Sequence, residues 1–137
     1  LQDKGSEMVD GKITLAGYAA VNEFGSENGH VPERSFLRST VDSKQGEYQK
    51  ALDDATGEMI DETIHRGITA GVRKLQKDLG SLGVKASGDV KTTIREIREP
   101  ANAPGTLAKK YPADNPLIHT GRMRQSISSK VDMDGGK

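Results

Sequence analysis

The sequence predicts an α+β fold on three observations: a strand-like alternation near the start, helical spacing of apolar residues through the middle, and a second strand-like stretch near the end. Its 137 residues suit a single domain spanning 1–137, because one hydrophobic core is usual at roughly 100 to 150 residues. Apolar residues make up 33% and aromatics 4%, against roughly 45 to 50% apolar by a slightly wider count in ordinary globular chains. So thin a core, with 16 Gly, points either to flexible segments or, as the favoured reading, to a subunit that completes its burial against neighbours.

The elements follow in order. Lys12 to Tyr18 alternates polar and apolar side chains, the period of a strand, and the apolar run continues through Ala19, Ala20 and Val21 to Phe24. This is one strand, or a strand leading into a short helical turn, stopped at Gly25. Ser26 to Pro32 is a polar surface loop, since Pro32 biases the residue before it toward extended backbone. Phe36 and Leu37 are then expected to anchor the chain to the core. Ser39, Thr40 or Asp42 is a suitable cap for a helix whose apolar face holds Tyr48, Leu52, Ala55 and Met59. Ile64, Ile68, Val72, Leu75 and Leu79 continue the spacing across Gly67 and Gly71, where the helix either breaks or packs closely on another element. Leu82, Ala86, Val90, Ile94 and Ile97 resume it after Gly80 and Gly83, so two helices or one kinked helix fit equally. Residues 100–116 hold four of the five prolines and form a long irregular excursion of the functional kind. Leu117 and Ile118 re-enter the core, Thr120 and Gly121 turn, and Arg122 to Val131 close the fold as a strand, with a helical first turn as the alternative. Residues 132–137 are a flexible tail.

The net charge is zero but unevenly spread: residues 1–62 hold 6 Lys+Arg and 13 Asp+Glu, and residues 63–137 hold 14 and 7. Opposite fields on two faces would favour head-to-tail association and steer docking; solvated helix faces explain the same counts. Zero net charge argues against a general nucleic-acid binder. With no Cys, disulfides and thiolate metal sites are excluded. No run approaches the roughly 18 apolar residues of a membrane span, and the opening residues lack the pattern of a signal peptide. The expectation is a protein soluble and cytoplasmic where it is made, with some residues before Leu1 missing.

Residues suited to catalysis do not converge. His30, His65 and His119 form no metal-binding spacing, Ser35 and Ser126 lack a nucleophile-elbow context, and no glycine loop has the phosphate-cradling form. The carboxylate pairs Asp53 and Asp54, Asp61 and Glu62, and Glu96 and Glu99 suit solvated helix surfaces better than acid–base work. No catalytic residue, cofactor or metal is expected. Arg34 and Arg38 could share one face of a helical turn, and Arg122 and Arg124 one face of a strand. Such pairs suit phosphate or carboxylate partners, or are simply exposed arginines without a specific partner.

Two phrases carry a resemblance. The first runs from Tyr18 through Glu23, Phe24 and Gly25 to Val31, Pro32, Arg34, Phe36, Leu37 and Arg38; the second runs from Asn115, Pro116, Leu117 and Ile118 through Thr120, Gly121 and Arg122 to Ser126 and Ile127. In their order and separation they resemble the neck and tail-completion proteins, or virion morphogenesis proteins, of long-tailed double-stranded DNA bacteriophages. The matched residues cover roughly a third of the chain, and Pro104 to Lys110 is similar to the family's usual approach to the second phrase. Met123 stands where Leu is usual, a mild exchange, and His119 where Asp is common.

The resemblance implies a small mixed or antiparallel β-sheet packed against two or three α-helices, assembled as a hexameric ring in the virion. Implied neighbours are portal-side connector or stopper proteins and tail tube, terminator or sheath proteins, with sequence-independent contact to genomic DNA in the channel. Arg34, Arg38, His119, Arg122 and Arg124 are the candidate interaction residues. Gly25, Phe36, Leu37, Leu117, Ile118 and Gly121 are the turn and anchor residues. Loops 26–31 and 100–116 are candidates for docking adjacent rings. Alternative functions are a tail terminator, a small enzyme lacking a recognisable site, or a DNA-binding regulator lacking a helix-turn-helix.

Overall fold

The computed structural model describes residues 8–9, 13–97 and 122–133. Within them the chain is mostly helical, which corrects the α+β expectation and the sheet that the resemblance implied. Strands β1 (Met8–Val9) and β2 (Ile13–Thr14) pair antiparallel over two residues each, Met8 opposite Thr14 and Val9 opposite Ile13. So short a ladder offers no face on which helices could pack. The helices are α1 (Leu15–Phe24), α2 (Leu37–Arg66), α3 (Ile68–Glu96) and α4 (Arg122–Ser126).

At both places the full strand gives way to the helical alternative, because a short apolar run satisfies more than one period. Thr14 is extended, and its side chain accepts from the Gly17 N–H at 3.0 Å, so the expected strand turns into a helix from Leu15. Leu15, Tyr18, Ala19 and Asn22, spaced 3 or 4 apart, then turn to one side, and the ten-residue helix ends at Gly25. Gly25 has φ 78°, and a Cβ there would lie 3.1 Å from both the Glu33 N and the Val31 O, so only glycine suits this position. The expected closing strand is the five-residue helix α4 followed by irregular chain. Met123 and Ile127, four apart, both meet the core by helical spacing.

Contacts divide the chain into two compact units. The first comprises 1–40 and 90–127, and its core joins Leu15, Phe36, Val90, Ile94 and Met123, with Tyr18, Ala19, Ile97 and Ile127 against it. Ile94 is wholly buried. Beside this core Thr40 is 2% exposed and hydrogen-bonds Thr93 at 2.6 Å, so the hydroxyls of α2 and α3 are satisfied where they meet.

The second unit comprises 41–89 and 128–137, chiefly the antiparallel hairpin of α2 and α3. Both alternatives for the paired glycines are realised. Gly67, at φ 96°, breaks the helix. Gly71 lets α3 approach α2 so closely that a Cβ would lie 1.8 Å from Thr63 Oγ1 and 3.0 Å from the Met59 O. Beyond Gly80 and Gly83, α3 continues unbroken to Glu96, and Ser129 packs over Gly83.

Candidate assembly surfaces

The first phrase of the resemblance folds around Glu23. Helix α2 starts at Leu37 without a Ser, Thr, Asp or Asn immediately before it, leaving its first N–H groups short of a local acceptor. Glu23, at the end of α1 and 5% exposed, supplies one: its carboxylate accepts from the Leu37 N–H at 2.9 Å, the Arg38 N–H at 3.0 Å and the Ser35 hydroxyl at 2.7 Å. Burial pushes this carboxyl up. The hydrogen bonds from Leu37, Ser35 and Arg38 and the Arg38 charge outweigh it, leaving Glu23 below the usual carboxylate range. The chain returns alongside α1, where the Arg34 N–H donates to the Asn22 O at 2.7 Å and the Asn22 side-chain amide donates to the Tyr18 O at 2.9 Å. The cap is therefore Glu23, not Ser39, Thr40 or Asp42, which lie inside α2.

The loop between the helices is closed on itself. Ser26 Oγ donates to Asn28 Oδ1 at 2.7 Å and accepts from the Val31 N–H at 2.9 Å, while Asn28 Oδ1 also accepts from the His30 N–H at 3.0 Å. Residues 27–30 form its exposed tip.

The expected interaction arginines are not presented as a set. Arg34 precedes α2 and is 5% exposed, and burial lowers its pKa, so it is not part of an open anion-binding face. Arg38 is exposed on α2 and ion-paired with Glu33. Arg122 and Arg124 lie on a helix, where two residues apart means about 200° of rotation, so they do not share a face. Phe36 anchors the core as expected, but Leu37 is 50% exposed and does not. Leu117, Ile118, His119, Gly121 and residues 100–116 lie outside the described residues.

Across the hairpin, polar groups pair in layers. Tyr48 Oη donates to Asp89 Oδ2 at 2.6 Å; Lys85 reaches the same carboxylate at 3.0 Å and Glu47 at 2.9 Å, with its Nζ 5.4 Å from the Tyr48 ring centroid. Burial and Asp89 push the Tyr48 hydroxyl up to about 12. Nearer the turn, Lys74 bridges Glu58 and Asp78 at 3.0 Å each. An open groove beside these layers, lined by Ala51, Asp54, Ala55, Glu58, Asp78, Ser81, Leu82 and Lys85, holds charges already paired with one another or with Lys50, Lys74, Glu47 and Asp89. His65 sits on the last turn of α2 beside Asp61. Among the described residues no group of three His, Cys, Asp or Glu could hold a metal, and no helix is long and apolar enough to cross a membrane.

Among the described residues several large apolar side chains are left uncovered. Phe24 is 69% exposed and Leu37 50%; on the hairpin Ile60 is 51%, Ile64 75%, Ile68 67% and Val84 70% exposed. Scattered exposed apolar residues are ordinary, but Ile60, Ile64 and Ile68 fall within nine residues around the Gly67 turn. No family model, curated protein or solved structure matches this chain.

Proposed function

We propose that the chain is a non-enzymatic structural subunit of a tailed bacteriophage, present as one copy in a ring, hexameric by resemblance, that joins the head connector to the tail. The observation that carries this reading is the pair of phrases in their order and separation. The first also makes physical sense as a unit: Tyr18, Asn22, Glu23, Gly25, Arg34, Ser35 and Phe36 build the capped junction between α1 and α2. The sheet that the resemblance implied is not part of the reading, which rests on residues rather than fold. The exposed apolar side chains of the hairpin support a subunit that meets neighbours. Its partners would be portal-side connector or stopper proteins above and tail proteins below, in the virion after assembly in the host cytoplasm.

A nonsense mutation in the gene, in the phage that carries it, tests the role. Filled heads and free tails should accumulate unjoined, and adding the purified protein to the lysate should join them. Normal particles without the protein would overturn the reading.

A further inference from the structure

Six glycines stand inside α2 and α3, where each weakens the helix relative to alanine. Gly71 and Gly83 are accounted for within the chain, by Met59 and Thr63 and by Ser129. Among the described residues a Cβ at Gly46, Gly57, Gly80 or Gly88 would meet nothing within 4 Å, so they supply no reason for these four.

Their positions are not scattered. Gly46, Asp53, Gly57, Ile60 and Ile64 recur at spacings of 7, 4, 3 and 4, one face of α2, and all are exposed. Arg73, Lys77, Gly80, Val84 and Gly88 recur at 4, 3, 4 and 4 on α3, and only Gly80 among them is partly covered. Ala55 and Gly71 mark the inner faces where the helices meet, and the two seams lie on the sides turned away from them. The α2 seam thus combines glycines that permit close helix approach with Ile60 and Ile64, and the α3 seam combines them with Val84, apolar side chains that would fill the space in a helix–helix contact.

The charges say what fills it. Helix α2 holds 4 Lys+Arg against 7 Asp+Glu, and α3 holds 6 against 3. A second α2 against α2 would set like charges together, whereas α3 of another copy brings the opposite sign.

We propose that the outer seam of α2 in one copy packs against the outer seam of α3 in the next, a head-to-tail contact that uses a different face on each side of the subunit. Contacts of this type close into rings when the rotation closes. The proposal deepens the ring reading by naming its contact, and rests on it only for the ring. Within the hairpin Glu58 is level with Lys74 and Glu47 with Lys85. A ring whose axis runs along the hairpin keeps those levels between neighbours, setting Ile60 against Arg73 and Asp53 against Gly80 of the next copy.

Because the chain has no Cys, the contact is testable with two single variants, Ile60→Cys and Arg73→Cys, and a short bis-maleimide. Mixed, they should cross-link into dimers, and each alone should not. Adding Gly57→Leu and Gly80→Leu should lower the cross-linked yield at least tenfold while circular dichroism shows the helices intact or melting higher. No link in the mixture, equal linking of either variant with itself, or a yield unaffected by the leucines would each overturn the contact. Finding the protein in a neck ring without this link would remove the contact and leave the phage role standing. The link in a protein absent from virions would do the reverse.

Discussion

Replacing Glu23 tests the junction on which α1 and α2 depend. In Glu23→Ala the Leu37 and Arg38 N–H groups and the Ser35 hydroxyl lose their acceptor in a place where Glu23 itself is only 5% exposed. Loss of a helix cap costs about 0.5–2 kcal/mol, and hydrogen bonds to a charged group are worth about 1.5–3 kcal/mol. These overlap, since one carboxylate makes all three, so a loss of about 2–3 kcal/mol is expected. At this chain length that lowers the melting midpoint by roughly 8–12 °C. Glu23→Gln keeps one acceptor oxygen and should lose about half as much. The pH dependence follows in sign: the carboxyl lies below its ordinary 4.5 in the folded chain. Its contribution is complete above that value and fades as the pH falls through the lower folded one. The gap between wild type and Glu23→Gln should therefore narrow in acid. Glu33→Ala is the control, because the exposed Glu33–Arg38 pair is worth under about 1 kcal/mol. Thermal melts by circular dichroism decide it, and Glu23→Ala melting within about 2 °C of wild type would refute the capping argument.

Three further outcomes are expected. In a spectrophotometric titration Tyr48 should ionise near 12 rather than its ordinary 10.0, and the stability it contributes, complete below 10, should be lost as the pH climbs toward 12. Tyr48→Phe should remove that late ionisation and cost about 1 kcal/mol for the Asp89 hydrogen bond. Gly71→Ala forces α3 away from Thr63 and the Met59 carbonyl and should destabilise by about 1–3 kcal/mol in denaturant titration despite its better helix propensity. Ile94→Ala empties a site that is wholly buried and should cost about 2–5 kcal/mol in the same assay.

The helical middle was legible because its apolar spacing runs for more than thirty residues, long enough to exclude a strand. Gly25 was legible as a stop, since its left-handed backbone is a glycine property. The ends were not. Lys12 to Tyr18 alternates, yet Thr14 can cap and Leu15, Tyr18 and Ala19 also fit a helix, and packing against Phe36, Val90 and Ile94 decides between them. Met123 and Ile127 satisfy a turn of helix as readily as a strand. Arg34 illustrates a second limit: composition cannot tell an arginine that binds a partner from one buried beside Tyr18 and Asn22. Glu23 stood out as part of the first phrase, but its capping role left only a negative signal, the missing capping residue before Leu37, because its partners lie twelve to fifteen residues away.

The proposed ring between head and tail is open to direct test by cryo-electron microscopy of the intact particle. A ring of copies is expected between portal and tail tube, with hairpins side by side and α2 of each against α3 of the next. A neck fully accounted for by other chains, with this one absent from the virion, would contradict it.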